Sequence, residues 1–290
     1  MQTENNLILD IQHFADSDYN VESSFRYKYF LLIAQHQLSS VIVDEQINRI
    51  VSFKTFSNNS LSFLNMSYNE LREYQEISNE FLPIYKSKTV IIADSNCILV
   101  PDTLINLIAL EDYYKINNKI KENSQVISNK LNFKHMANVF NVKNETLKFI
   151  RFNMPSADII HQSLLFIKAC YISLNTHAET NVFIHINYDS VDLLQFKNDQ
   201  VNFSNNFKFD NNTDIVYYVL AVAEELGISG DLNLIIYGEI DSNNSLFALL
   251  EKYCKSMQLG KRNVRFTYPN AFENIPEHHY FTALNVLLCE

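Results

Sequence analysis

Glycine is nearly absent from this chain of 290 residues. There are four glycines, Gly227, Gly230, Gly238 and Gly260, so the first 226 positions contain none. Loops that cradle phosphate groups depend on glycine, because only glycine lets the backbone approach a ligand closely and adopt positive φ angles freely. The sequence therefore excludes a P-loop and the glycine-rich turn of dinucleotide-binding proteins.

Basic residues, paired cysteines and long apolar runs are also scarce. The net charge is −10, which disfavours nucleic acid as a partner because an acidic surface repels phosphate backbones. The four cysteines are widely spaced without a CxxC pair, as is typical of buried thiols in a reducing compartment. No apolar run approaches the ~18 residues of a membrane span, and no basic leader opens the chain. We therefore expect a soluble, cytoplasmic protein.

The hydrophobic content of 47% is high enough for well-buried cores. Residues 29–56 contain three apolar runs separated by short polar turns, which predict an antiparallel meander with strands at 29–35, 38–44 and 49–56. Residues 181–209 repeat the same pattern of strand, turn, strand, turn and strand.

Further helices and strands are predicted after each meander. In the first half, Ser67 and Glu70 form a capping box at the start of a helix over 67–86, and Pro101 opens another helix. The other predicted elements there are strands at 88–93, 98–100 and 135–142, a loop at 117–134, and helices at 145–151 and 157–174. In the second half they are helices at 212–226 and 242–257, strands at 232–237 and 264–268, and an apolar tail at 281–288.

The two halves share one order of elements, which favours an internal duplication. Aligning Phe30 with Val182 gives an offset of about 152 residues, although two unrelated meanders could also look alike. A meander that feeds βα units is the ribonuclease-H-like layout. We expect an α/β protein with two tandem ribonuclease-H-like subdomains, at 1–175 and 176–290, and a cleft between them, which is the actin-like ATPase architecture.

Four short motifs give the chain a resemblance to a known family. They are Leu99-Val100-Pro101, Ala137-Asn138-Val139-Phe140, Tyr217-Tyr218 within the 214–226 helix, and Tyr237-Gly238-Glu239-Ile240. With these motifs the chain resembles the bacterial domain-of-unknown-function family DUF3822 over most of its length. The resemblance implies an actin-like ATPase fold, and it carries no established activity and no catalytic residues.

The nucleotide site that this fold implies is degenerate in the sequence. Active members of the actin-like superfamily hold ATP between two glycine-bearing hairpins and a glycine-rich adenosine loop. Here the first hairpin, at 34–37, and the second, at 187–192, have no glycine, and only Gly238 remains at the third position. We predict that no cofactor is bound, and we regard His36, Tyr188 and Gly238 as the cleft residues to examine.

A group of acids supports a different hypothesis. Asp189 follows the first strand of the second half, while Glu239 and Asp241 follow the fourth, and these two strands are neighbours in a ribonuclease-H-like unit. Their carboxylates could converge on Mg²⁺ for phosphoryl transfer or ATP hydrolysis. The alternative, which we favour, is that they are turn residues and that the protein has no metal site.

Three functional hypotheses follow. The leading one is a non-catalytic actin-fold scaffold or interaction module with a protein partner. The second is a Mg²⁺-dependent enzyme that uses Asp189, Glu239 and Asp241. The third is a small-molecule sensor whose cleft has been remodelled for a ligand without phosphate.

Overall fold

The computed structural model describes residues 10–289 apart from 59, 61, 74–82, 132–134, 174–179 and 241–243. Its strands in chain order are β1 (Asp10–Ala15), β2 (Lys28–Ala34), β3 (Gln37–Asp44), β4 (Arg49–Ser57), β5 (Ser87–Ala93), β6 (Cys97–Pro101), β7 (Ser124–Leu131), β8 (Met136–Lys143), β9 (Asp158–His161), β10 (Asn181–Ile186), β11 (Ser190–Lys197), β12 (Gln200–Lys208), β13 (Asn233–Gly238) and β14 (Ser256–Leu259). Its helices are α1 (Tyr68–Glu73), α2 (Leu110–Lys115), α3 (Asn144–Asn153), α4 (Gln162–Ser173), α5 (Asn212–Glu225), α6 (Ser245–Leu250) and α7 (Phe281–Leu284).

The two larger sheets share one order of five strands, which confirms the two predicted meanders and the strand that follows each; the fifth strands, β9 and β14, were not predicted. The first is six-stranded, β1-β4-β3-β2-β5-β9, and the second is five-stranded, β12-β11-β10-β13-β14. In each sheet an antiparallel meander is followed by two parallel strands. Strand β1, which the sequence did not predict, adds an extra antiparallel edge to the first sheet.

A third sheet corrects one prediction in the first half. Its order is β6-β8-β7, so residues 117–134, predicted as a loop, contain the strand β7. The prediction failed because β7 is an edge strand with mostly polar residues, and only Val126 and Leu131 of this strand are buried.

The single helix predicted after Pro101 is also wrong. Two 3₁₀ turns precede α2, because the side chain of Asn106 accepts a hydrogen bond from the N–H of Ile108 and caps a separate turn.

Three further boundaries differ from the predictions. The helix predicted over 157–174 begins with β9, where Ile159 and Ile160 pair with β5, and α4 starts only at Gln162. Of the helix predicted over 242–257, only the short α6 is present, and the last two residues of the predicted range belong to β14. The strand predicted at 264–268 is reduced to one bridge between Arg49 and Thr267.

The helix caps that the sequence predicted are present. Ser67 and Glu70 exchange hydrogen bonds at the start of α1. Residues 74–82 of the predicted helix lie outside the described part, and residues 83–86 are not helical, so the prediction extends too far. Helix α5 ends before Gly227, which has a φ of +70°. A glycine in this conformation ends a helix without steric cost.

One hydrophobic core joins the two repeated units. The strongly apolar helix α4 contributes Ile167 and Cys170, which belong to the same buried cluster as Phe183 and Tyr237 of the second sheet. Apolar residues of the first sheet, such as Phe30, belong to it too. Because this core fixes the two sheets against each other, the loops at the ends of their central strands face a common cleft.

Candidate functional site

The cleft lies at the carboxyl ends of the central strands of both sheets. The parallel strands β2 and β5 end at Ala34 and Ala93, while β10 and β13 end at Ile186 and Gly238. These residues and those just beyond them line a cavity of about 560 Å³. Ligands of open α/β sheets bind outside the carboxyl ends of the strands, so this position marks the cleft as the candidate site.

The tips of two β-hairpins meet across the cleft. The turn between β2 and β3 carries His36, and the turn between β10 and β11 carries Tyr188. The centroids of the two rings are 4.2 Å apart, and Nδ1 of His36 also lies 3.3 Å from the carbonyl oxygen of Asn58. Two aromatic side chains therefore occupy the gap in which an actin-like ATPase holds phosphate groups between glycine-bearing hairpins.

Gly238 lines the cleft, but contacts within the protein explain why this residue is glycine. Its φ is +116°, and a β-carbon would lie 2.3 Å from the carbonyl oxygen of Ile186 on the neighbouring strand. Its N–H donates to the carbonyl oxygen of His278 at 3.0 Å, and its own carbonyl accepts from the N–H of Ile240 at 3.0 Å. The backbone of Gly238 is thus already hydrogen-bonded on both sides.

The acids predicted at the second hairpin lie only partly within the described structure. Asp189 and Glu239 both line the cleft, Asp189 half-buried and Glu239 exposed, whereas Asp241 lies outside the described residues. Among the described residues, no three His, Cys, Asp or Glu side chains are grouped closely enough to hold a metal ion.

Asp94 is a cleft residue that the sequence analysis missed. It is the first residue after β5, as Glu239 is the first after β13. Comparing the two halves position by position could therefore have identified Asp94 from the sequence. Asp94 is buried and forms an ion pair with Lys121, and one carboxylate oxygen accepts from Nδ2 of Asn96 at 3.0 Å. Burial alone would raise the pKa of Asp94, but the ion pair with Lys121, together with His161 and the hydrogen bond from Asn96, outweighs burial and lowers the pKa below 3.8.

A neutral histidine holds Asp94 in place. Nε2 of His161 lies 2.9 Å from the carbonyl oxygen of Asp94, and Nδ1 lies 3.2 Å from the N–H of Ser163. Nε2 therefore donates and Nδ1 accepts, which is the arrangement of an uncharged imidazole. Burial lowers the pKa of His161 below 6.5, more than the nearby carboxylates raise it. Through these two hydrogen bonds, His161 connects the end of β5 to the start of α4.

Asp192, on β11, is the acceptor for two amide side chains near the second hairpin. Its two carboxylate oxygens accept from Nδ2 of Asn187 and Nδ2 of Asn206, each at 2.8 Å. Nδ1 of His185, which lines the cleft, lies 3.4 Å from Asp192 Oδ2, an electrostatic contact without hydrogen-bond geometry. Burial opposes the charge of Asp192, but His185 and the two amides together lower its pKa below 3.8.

Three of the cysteines, Cys97, Cys170 and Cys254, are not activated nucleophiles. Burial raises the pKa of Cys97, which lies next to Ser163, to about 12, and the pKa of Cys254 to about 11. Burial also raises the pKa of Cys170 well above 9.0. Thiols with such pKa values are protonated at neutral pH, so they are poor nucleophiles and poor metal ligands.

His161 gives a prediction for the dependence of stability on pH. In the unfolded chain His161 binds a proton near pH 6.5, whereas in the folded protein it does so only at lower pH. Protons therefore favour unfolding, and we expect stability to fall as the pH drops below about 6.5, by up to about 1.4 kcal/mol per pH unit. Chemical unfolding of the wild type and of His161→Gln between pH 7.5 and 5.5 measures this slope. The variant should be less stable at pH 7.5 but show a smaller slope, and equal slopes would contradict the assignment.

The three sheets and the cleft define an α/β protein with the actin-like ATPase fold, and a family match can be set beside this fold. The chain belongs to the family described as Protein of unknown function (DUF3822), whose model matches residues 16–257. The comparison with curated proteins finds no match.

Solved structures share the fold over almost the whole chain. A protein from Bacteroides thetaiotaomicron with an actin-like ATPase fold and unknown function is 20% identical, with a TM-score of 0.79 and coverage of 94% of this chain and 99% of that chain. A chain of the PilM-PilN type IV pilus biogenesis complex is 12% identical, with a TM-score of 0.56 and coverage of 91% and 98%. The predicted actin-like ATPase fold is therefore confirmed. In the described part of the chain, no helix is both long enough and apolar enough to cross a membrane.

Proposed function

We propose that this protein is a non-catalytic member of the actin-like ATPase fold that acts as a scaffold or interaction module. The observation that carries the proposal is the contact between His36 and Tyr188, whose ring centroids are 4.2 Å apart. Phosphate groups could enter between the hairpin tips only if this contact opened. Both hairpin tips lack glycine, and the ring of Tyr188 is exposed. The gap is therefore lined by side chains and not by the backbone N–H groups that would bind phosphate.

The expected loss of nucleotide affinity is large. A charge-assisted hydrogen bond from a backbone N–H to a phosphate contributes about 1.5–3 kcal/mol. Three lost contacts of about 2 kcal/mol each would weaken binding by about four orders of magnitude. The N–H of Gly238 cannot replace them, because it donates to the carbonyl of His278.

A role in protein assembly is supported by a structural neighbour and by an open sheet edge. A chain of the same fold belongs to the PilM-PilN type IV pilus biogenesis complex. In this protein β12 lies at the edge of its sheet and pairs only with β11 among the described strands. An edge strand of this kind can pair with an extended segment of a partner. The partner that we propose is a protein and not a nucleic acid, since the chain carries a net charge of −10.

The proposal also covers the organisation and location of the chain. We place the boundary between the two subdomains at 175/176, after α4 and before β10, and we propose a cytoplasmic location in a bacterium. The reducing environment implied there suits the free cysteines of the structure.

A Mg²⁺-dependent phosphoryl-transfer or ATP-hydrolysing enzyme is the second candidate. It is favoured by the carboxylates of Asp94, Asp189 and Glu239 that line one cleft. In such an enzyme Asp189 and Glu239, together with Asp241, would bind the metal. Asp94 would contribute less, because its carboxylate is already paired with Lys121.

Phosphate release from ATP in the presence of Mg²⁺ distinguishes the two candidates. We expect the wild type to release no more phosphate than buffer does, and Mg²⁺ to leave the melting temperature unchanged. The enzyme candidate requires turnover that Asp189→Asn abolishes, together with a Mg²⁺-dependent rise in melting temperature that this variant also loses. Turnover in the wild type that Asp189→Asn removes would overturn the non-catalytic proposal.

A further inference from the structure

Two polar side chains in the inner cleft are buried without a partner. Gln162, the first residue of α4, is 4% exposed, and Thr282 in α7 is 6% exposed; both line the cleft. Within the part of the chain that the structure describes, neither side chain forms a hydrogen bond. Their polar atoms are not among the fully enclosed side-chain atoms of the described residues that lack a partner, so they reach the cavity and are available to a ligand.

The two side chains belong to one wall of the cleft. Helices α4 and α7 pack against each other, and Phe166, one turn after Gln162, meets Phe281 edge-on with ring centroids 6.0 Å apart. Phe281 itself lines the cleft next to Thr282. The wall therefore combines an unpaired amide, an unpaired hydroxyl and the surface of an aromatic ring.

The charged groups around this wall do not favour a charged ligand. Asp94, which lines the same cavity as Gln162, is already paired with Lys121. Asp189 and Glu239 line the cleft together with the exposed Lys208, so these three groups carry a net negative charge that disfavours anions. A ligand here gains nothing from a negative charge, and the paired Asp94 offers little to a positive one.

Hydroxyl groups are the chemistry that fits these side chains best. The side-chain amide of Gln162 can donate and accept hydrogen bonds, and so can the hydroxyl of Thr282. A ligand hydroxyl also donates and accepts, so it can pair with both, and the C–H face of a ring can pack on Phe281. The cavity of about 560 Å³ falls within the range of about 300–1,000 Å³ that is usual for small-molecule sites.

We propose that the inner cleft binds a small uncharged polyhydroxylated molecule of monosaccharide size, with Gln162 and Thr282 as its hydrogen-bonding residues. This site goes beyond the proposed scaffold function and does not depend on it. His36 and Tyr188 line the same cavity, so binding of such a ligand would favour an arrangement of the hairpin tips that encloses it.

The first test uses the ligand-free protein. Gln162→Leu and Thr282→Val preserve shape and remove the unpaired polar groups, so we expect each variant to melt at the same temperature as the wild type or up to about 2–4 °C higher. If either residue had only a structural role, its substitution would instead lower the melting temperature. Melting more than about 2 °C below the wild type in both variants would overturn the proposal.

The second test is calorimetric titration of the full chain with glucose, galactose, mannose, ribose and xylose, each alone, and with Mg-ATP. We expect at least one sugar to bind with a Kd of about 1 mM or tighter, and Gln162→Leu and Thr282→Val each to weaken it about tenfold or more. Lys208→Gln, an exposed residue at the rim of the cleft, is the control and should bind as the wild type does.

Each outcome decides the proposal. Failure of all five sugars to bind would overturn it, as would binding that both cleft variants retain at full strength. Such a failure would leave the non-catalytic function intact, because that function concerns ATP. Tight binding of Mg-ATP in place of a sugar would overturn both.

Discussion

Gly238→Ala is expected to destabilise the protein by roughly 3–5 kcal/mol, because it combines backbone strain with a steric clash. The φ of +116° is a conformation that residues with a β-carbon rarely adopt, and the new methyl group would lie 2.3 Å from the carbonyl oxygen of Ile186. Neither atom can move without separating β13 from β10, the two central strands of the second sheet. Thermal unfolding should show a decrease in melting temperature of roughly 6–12 °C.

Gly230→Ala is the matched control for this prediction. No atom lies within 4 Å of a β-carbon at Gly230, so the same substitution should be neutral or stabilising by about 0.4–1 kcal/mol. The two variants together separate a glycine required by close packing from one that is not. Equal melting temperatures for Gly238→Ala and the wild type would show that the two strands do not approach each other as described.

Asp192→Ala is expected to cost about 2–4 kcal/mol of stability, because it removes a charged acceptor from two part-buried hydrogen bonds. The carboxylate accepts hydrogen bonds from the amides of Asn187 and Asn206, each at 2.8 Å, so its removal leaves two amide donors without an acceptor. It also leaves His185 beside an apolar cavity instead of a negative charge. Since half-buried donors that lose their acceptor retain part of their desolvation cost, the loss should exceed that of an ordinary surface substitution.

Asp231→Ala is the control for Asp192→Ala. Asp231 pairs with Lys255 at 2.6 Å, but both side chains are 62% exposed. Exposed ion pairs contribute about 0–1 kcal/mol, so this variant should unfold almost as the wild type does. Urea titration gives the free energy of unfolding for both variants. A loss at Asp192 no larger than at Asp231 would contradict the buried network.

The sequence predicted the fold where apolar patterns are strong and local. The three strands of each meander were found because central strands such as β2, buried along almost their whole length, consist of short apolar runs. Strand β7 was missed because its stability comes from pairing with β8 rather than from its own apolar residues. Strand β9 was missed because Ile159 and Ile160 continue without a break into the apolar helix α4, and such a run has no clear period.

The candidate site was predictable in position but not in its contacts. The hairpin tips with His36 and Tyr188 were predicted from the repeat, as were the acids Asp189 and Glu239, and all four line the cleft. The contact between His36 and Tyr188 joins residues 152 positions apart. It depends on how the two halves pack, which no local pattern encodes.

The two halves also use their equivalent acids differently. Asp94 after β5 is buried, paired with Lys121 and held by His161, while Glu239 after β13 is exposed. In the first half the acid has therefore become part of a structural network. This asymmetry is consistent with the non-catalytic function that we propose.

Calorimetric titration of the wild-type protein with Mg-ATP tests the central claim most directly. Since the rings of His36 and Tyr188 occupy the gap between the hairpin tips, the account predicts no saturable heat of binding at any nucleotide concentration up to about 1 mM. The double variant His36→Gly with Tyr188→Gly shows whether the rings alone are responsible, because it opens the gap without altering Gly238. Micromolar binding of Mg-ATP by the wild type would contradict the account.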